Sequence, residues 1–284
     1  MTCAWQELLA VLPLWMRKET DIFQNEGLRE IRLRVNAPPE LVFLQRSIWF
    51  ERNITQDDLN YTVNTASRYS PWSVGTVAMG YITVRGGHRI GLCGESVSQQ
   101  GQCNTIRNYS SLCIRVAKDI PGIASGLVKI RGSILILGAP GWGKTTLLRD
   151  LIRQFGINET VCVADERGEL FPEGIERGRR VDVLTGCSKE FGITTLLRTM
   201  CPDCIAVDEI TAQEDTNVLL HAANCGVRLL ASAHAATFSD FRRRIIYQPL
   251  LENHVFDVVI ALKRDQSYTV ERMTECVTGG LVRY

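Results

Sequence analysis

The chain has no long apolar run, no excess of either charge and no internal repeat or low-complexity linker. Its 32 Lys and Arg against 31 Asp and Glu leave a formal net charge of +1. A dedicated nucleic-acid binder usually carries a basic footprint, so that class is disfavoured. A balanced total still leaves room for a local basic patch. The longest early apolar stretch, Leu8 to Met16, is too short to span a bilayer and contains Pro13. Met1 is followed by Thr2, Cys3 and Ala4, with neither a basic start nor a cleavage site, so no secretory signal is read. The 10 cysteines are scattered, and 284 residues are too many for a small disulfide scaffold. Cys201 and Cys204 have C-x-x-C spacing, but no second such pair and no paired histidines complete a metal set. These absences read as a cytosolic protein with reduced thiols, acting at membranes only through a partner.

What is present is ordinary for a globular protein: 45% hydrophobic and 22% charged residues. The length fits one large domain or two modest ones. Two patterns divide the chain. Trp5 to Met16 reads as one short amphipathic helix. "EIRLRVNAPPELVFL", Glu30 to Leu44, alternates at period two on both sides of Pro38-Pro39, which predicts strand, turn and strand. Thr55 is a plausible N-cap, with Asp57 and Asp58 in the first turn and Leu59, Val63 and Ala66 at helical spacing. Gly80 to Val97 reads as a hairpin around Gly86-Gly87, and "SSLCIRVAKDIPG" as a further strand closing on Pro121-Gly122. Residues 1–120 are therefore expected to form a small α+β domain. From Ser125, apolar runs alternate with helical segments: Ile134–Leu137, Val161–Ala164, Ile205–Val207, Leu229–Ala231 and Val258–Leu262. Continuous apolar strands between helices predict a mostly parallel sheet covered on both faces, over residues 121–284.

Gly138, Ala139, Pro140, Gly141, Trp142, Gly143, Lys144 and Thr145 complete the G-x-x-x-x-G-K-[ST] pattern. A strand precedes it and "TTLLRDLIRQF" follows as a helix. Glycines let the backbone wrap phosphate oxygens with several N–H groups turned inward, and the helix N-terminus adds partial positive charge. Lys144 is expected at the β and γ phosphates of ATP, Thr145 on Mg²⁺, and Thr146 at the α-phosphate. A ligand-free glycine turn is the alternative, and it ignores the flanking strand and helix. Trp142 covers the nucleotide, meets a neighbouring subunit or is simply exposed.

A phosphate loop needs an acid for Mg²⁺ and a base for the attacking water. "CIAVDEI" ends in Asp208 and Glu209, at the strand's carboxyl end where ligands sit in open α/β sheets. Asp208 is the metal candidate and Glu209 the base. A second pair, Asp165 and Glu166, ends the strand after the P-loop helix. That neighbouring strand is where RecA-like motors carry an active-site glutamate. Glu166 thus competes for the base role, with Asp165 as a further metal candidate. "LLASAHAAT" ends another strand with Ser232 and His234, and His234 is a γ-phosphate sensor or a histidine satisfied by a backbone carbonyl.

Taken together, "EIRLRVNAPPE", "GYITVRGGHRIGLCG", "APGWGKTTLLRDL", "DERGEL", "LLRTMCPDCIAVDEI" and "EDTNVLLHAANCGVRLLASAHA" resemble, in order, the stage III sporulation protein AA family of endospore-forming bacteria. That family is similar to the traffic ATPases of type II and type IV secretion and of pilus systems. The resemblance implies a RecA-like P-loop motor behind an amino-terminal domain, assembled as a homohexameric ring. By that resemblance Glu209 falls on the acidic-strand glutamate of the secretion ATPases, Asp165 and Glu166 on their aspartate box, and His234 on their histidine box. Asp208 departs from the glycine that many pilus motors have there. Arg89 and Arg115 lie in segments that bring arginines over the nucleotide, with surface arginines as the alternative. Arg179, Arg180 and Arg198 are further candidates, and Arg242 to Arg244 read as a solvated helix face. The implied role is a Mg²⁺-dependent ATPase, peripheral at the membrane on the mother-cell side. Its implied partners are its own copies and the membrane proteins of a channel between mother cell and forespore. A RecA-like nucleic-acid translocase and a nucleotide-gated scaffold with little turnover are the competing readings.

Overall fold

The computed structural model describes residues 4–24, 26–68, 77, 80–99 and 102–273. Cys3, Cys276 and the last residues of the expected second domain lie outside them. Two compact units emerge: Met1–Asp119 with Pro172–Ile175, and Ile120–Phe171 with Glu176–Tyr284.

The first unit opens with two helices rather than one, α1 (Trp5–Val11) and α2 (Leu14–Asp21). The break follows from Pro13. A residue before proline is driven from helical into extended backbone, and Leu12 sits at ψ 151°. Strands β1 (Glu30–Arg34), β2 (Glu40–Val42) and β3 (Ser47–Trp49) precede helix α3 (Gln56–Arg68). Strands β4 (Tyr81–Thr83), β5 (Arg89–Gln99) and β6 (Gln102–Arg115) follow, in an antiparallel sheet of order β3-β2-β1-β6-β5-β4. The last strand begins earlier than "SSLCIRV" suggested, because it extends as the return arm of the β5 hairpin. Strict alternation sends Ile31, Leu33, Ile90, Leu92, Leu112 and Ile114 to one face, where they pack with Trp5, Leu8, Leu59 and Val63. Thr55 and Asp58 form a reciprocal cap: Asp58 N–H donates to Thr55 Oγ1 at 3.2 Å, and Thr55 N–H to Asp58 Oδ2 at 2.9 Å. The buried His88 joins the unit's ends. Its Nδ1 accepts from Ala117 N–H at 3.1 Å, so its Nε2–H donates to Ala4 O at 2.8 Å. Burial holds its pKa below the usual histidine value, against the hydrogen bond to Ala4.

The second unit is a sheet of order β13-β12-β7-β11-β10-β8-β9. Its strands are β7 (Ile134–Leu137), β8 (Val161–Asp165), β9 (Val181–Thr185), β10 (Cys204–Ile210), β11 (Arg228–Ala233), β12 (Val258–Leu262) and β13 (Tyr268–Arg272). All neighbours run parallel except β12 and β13. The two edge strands were not legible as apolar runs, since β9 is only half-buried and β13 largely exposed. Helices α4 (Lys144–Phe155), α5 (Lys189–Thr199) and α6 (Gln213–Asn224) connect the central strands. Leu135, Leu137, Ile205, Val207, Leu229 and Ala231 anchor the core.

Candidate functional site

Side by side in the sheet lie β7, β11, β10 and β8. Because they are parallel, their carboxyl ends present the P-loop, the segment of Ser232 and His234, the pair Asp208 and Glu209, and the pair Asp165 and Glu166 in that spatial order. The strand following the P-loop helix in sequence is thus not the neighbour of β7: two strands separate them. At about 4.8 Å per strand, Glu209 stands about 10 Å laterally from the P-loop strand and Glu166 about 14 Å.

Gly141 and Gly143 adopt φ 76° and 98°, and open space surrounds the position a Cβ would take on each. Gly143 caps α4 without a side-chain bond to the helix. The N–H groups of Lys144, Thr145 and Thr146 in the first turn therefore face outward with no carbonyl of their own helix to meet. A Cβ on Gly138 would come within 3.3 Å of both Lys144 Cγ and Leu262 Cβ, so glycine there lets the lysine stem fold along the loop. Lys144 Nζ donates to Gly138 O at 2.9 Å and to His234 Nδ1 at 2.8 Å. Burial lowers its pKa, while Glu209 and then Asp208 work the other way. Pro140 is exposed, and the N–H of the half-buried Trp142 bonds Ala139 O at 3.3 Å.

Adjacent strand residues normally point to opposite faces. Asp208 and Glu209 escape that rule through a bulge. Val207 pairs with Ala231 and Ile210 with Ala233, so two residues of β10 stand opposite Ser232 alone. Glu209 takes φ 37°, a left-handed conformation for a residue with a side chain. Ser232 stitches the bulge: its Oγ accepts from Glu209 N–H at 3.1 Å and donates to Asp208 Oδ1 at 3.0 Å. Asp208 Oδ2 then accepts from Thr145 Oγ1 at 3.0 Å. The expected metal pair, Thr145 and Asp208, is in direct contact.

His234 stands between the P-loop and Glu209 because β11 stands between β7 and β10. An ammonium only donates, so His234 Nδ1 accepts from Lys144 and Nε2 carries the hydrogen. That Nε2–H meets Glu209 Oε1 at 2.6 Å. Lys144, His234 and Glu209 form one continuous chain.

The structure employs the other acidic pair differently. Asp165, expected at the metal, is buried and turned into its own loop: Oδ1 accepts from Glu169 N–H at 2.9 Å, and Oδ2 from Leu170 at 2.9 Å and Phe171 at 3.2 Å. Burial pushes its pKa up to about 6, opposed by those backbone donors. Glu166 lies on the rim of the same cavity as Glu209 and Thr211, ion-paired at 2.8 Å with Lys189. Sequence reasoning missed Lys189. The one local signal was a lysine in a helix's first turn, where the helix dipole disfavours it.

The arginine candidates separate. Arg89 and Arg115 are directly opposite each other on β5 and β6, with Arg89 stacked on Tyr81 at 3.9 Å, all within the first unit. Arg179 and Arg180 precede β9, at the amino ends of the parallel strands. Arg198 is near the far end of α5, whose start holds Lys189. Within one chain these three are about a strand or helix length, roughly 16 Å, from the carboxyl-end site.

A family model described as sporulation stage III, protein AA matches residues 4–273. The chain belongs to that family. Stage III sporulation protein AA of Bacillus subtilis strain 168 is 34% identical over 278 residues, covering 91% of each protein. Among solved structures, the Legionella pneumophila ATPase DotB superposes with TM-score 0.61 at 18% identity, over 92% of this chain and 80% of that one. The pilus retraction motor PilT with bound ADP gives 0.59 at 15%, over 91% and 81%. At such identities the likeness is one of fold: a RecA-like P-loop α/β architecture that follows an α+β unit in the chain. No helix among the described residues is long and apolar enough to cross a membrane.

Proposed function

We propose that the chain is a Mg²⁺-dependent ATPase. One observation carries the reading: the P-loop Lys144 and Thr145 are hydrogen-bonded through His234 and Asp208 to a bulge that turns Asp208 and Glu209 into one site. The residues suit the groups they would hold. Outward N–H groups of the α4 first turn and Lys144 match a nucleotide's phosphates. Thr145 Oγ1 and Asp208 Oδ2, a hydroxyl and a carboxylate oxygen in contact, match the hard-oxygen preference of Mg²⁺. Mg²⁺, when bound, supplies charge neutralisation at the phosphate oxygens. Lys144 neutralises and orients the phosphates. Glu209 accepts a proton from the attacking water, and His234 holds Glu209 while relaying the position of Lys144 to it. Asp165 keeps the 165–171 loop in place.

The larger role follows family membership and the resemblance to traffic ATPases. Copies of the chain form a homohexameric ring, docked on the membrane proteins of a sporulation channel, which it energises. Arg89 and Arg115 are the candidates for neutralising nucleotide charge from the first unit. The test is ATP turnover by purified protein with and without Mg²⁺, beside Lys144→Ala and Glu209→Gln. Loss of the general base costs about 10²–10⁴-fold. Glu166→Gln should retain more turnover than Glu209→Gln. Wild-type turnover preserved in both Lys144→Ala and Glu209→Gln would refute the site.

A further inference from the structure

Lys189 lines the same cavity as Glu166, Asp208 and Glu209, and the mechanism above leaves it unused. It is the first residue of α5, directly after the N-cap Ser188, and only 7% exposed. Both features cost energy. A buried ammonium loses hydration, and a positive charge at a helix N-terminus opposes the dipole. Two carboxylates compensate: Glu166 Oε2 at 2.8 Å and Asp215 Oδ2 at 3.3 Å. These partners come from different connections of the sheet. Glu166 follows β8. Asp215, in the first turn of α6, uses the same Oδ2 to accept from Thr211 N–H at 2.8 Å, Thr211 Oγ1 at 3.1 Å and Ala212 N–H at 3.2 Å. Thr211 and Ala212 are the turn leaving β10, with Ile210 alone between them and the strained Glu209. One ammonium therefore ties the Glu166 loop to the turn that anchors Glu209 from behind, while His234 holds the Glu209 carboxylate in front.

We infer that Lys189 is a positioning residue of the hydrolytic site, which engages Glu166 in an ion pair and fixes the Asp215 turn, leaving Glu209 as the carboxylate available to the attacking water. The inference rests on the ATPase reading and goes beyond it by assigning a role to Lys189 and by separating the two glutamates. The ion pairs of Lys189 are to carboxylates. Its removal should act on kcat and leave nucleotide binding alone.

The experiment measures steady-state ATP hydrolysis and equilibrium binding of a fluorescent ATP analogue, on the full chain, for Lys189→Met, Lys189→Arg and the double variant Lys189→Met with Glu166→Gln. Small misplacements of a reacting group cost up to about 100-fold, so Lys189→Met is expected to lose about tenfold or more in kcat, with analogue affinity held within about twofold. Lys189→Arg should retain more than Lys189→Met. The double variant should recover at least about threefold over Lys189→Met. Of the two carboxylates that lose the ammonium, the one at Glu166 has, among the described residues, no backbone donors of the kind that hold Asp215, and in the double variant it is no longer charged. Lys189→Met with kcat within about twofold of wild type overturns the inference, as does parallel loss of kcat and analogue binding, the signature of a merely structural role. If Lys189→Met does not fold by circular dichroism, the polar, uncharged Lys189→Gln decides: kcat within about twofold of wild type overturns the inference, and lowered kcat at unchanged affinity supports it. A wild-type protein without turnover removes the ATPase reading and this inference together; an active wild type with an indifferent Lys189 removes the inference alone.

Discussion

The bulge in β10 predicts an inverted glycine effect. At an ordinary strand position glycine is less stable than alanine by about 0.5–1 kcal/mol. Glu209 is not ordinary: its φ of 37° lies where a Cβ crowds the backbone. Left-handed backbone costs a residue with a Cβ about 1–2 kcal/mol, and glycine escapes that cost. Glycine's freer unfolded chain returns about 0.4–1 kcal/mol of the gain. Glu209→Gly should therefore be more stable than Glu209→Ala by about 0.5–1 kcal/mol. Both variants lose the His234 contact equally, so that loss cancels in the comparison. The assay is urea unfolding of the two variants, followed by fluorescence. With a slope of about 2 kcal/mol per molar, the glycine midpoint should stand about 0.3–0.5 M higher. An alanine variant as stable as the glycine variant, or more so, refutes the strain argument and with it the bulge that turns two adjacent carboxylates into one site.

Other expectations concern pH and the site's supports. The folded pKa of His88 lies below the unfolded value of about 6.5, so the unfolded chain takes up the proton first as pH falls. Its contribution is complete above pH about 6.5 and declines below that. His88→Gln should flatten the part of the stability profile between pH 7.5 and 5.5 that this group supplies, and an unchanged profile would contradict the buried, neutral ring. Asp165→Ala orphans three backbone donors and should cost at least about 3 kcal/mol, whereas Asp165→Asn, which keeps an acceptor, should cost clearly less. Thermal melts of the pair check this, and equal losses would deny the loop-holding role.

Much of the site was legible because its chemistry is local. The P-loop needs glycines, a lysine and a threonine at fixed spacing, and the strand and helix around it are strongly patterned. The acidic pair after "CIAV" and the histidine after "LLASA" follow the same logic, since ligands gather at strand ends. The break at Pro13 was legible in the residue itself, yet the apolar spacing on both sides read as one helix. Strands β9 and β13 escaped because edge strands have one side without a neighbour and need no continuous apolar run. Lys189 escaped because its partners, Glu166 and Asp215, come from two other connections.

The sequence by itself determined the local facts: which segments are buried strands, where the phosphate loop begins its helix, and which carboxylates end which strands. Only the tertiary structure decided their order across the sheet. Placing β11 between β7 and β10 sets His234 between Lys144 and Glu209, and placing β8 beyond β10 moves Asp165 and Glu166 away from the P-loop. Strand order depends on crossover connections and on the packing of faces far apart in the chain. No spacing within a motif records it, and it is what gives two similar acidic pairs different work.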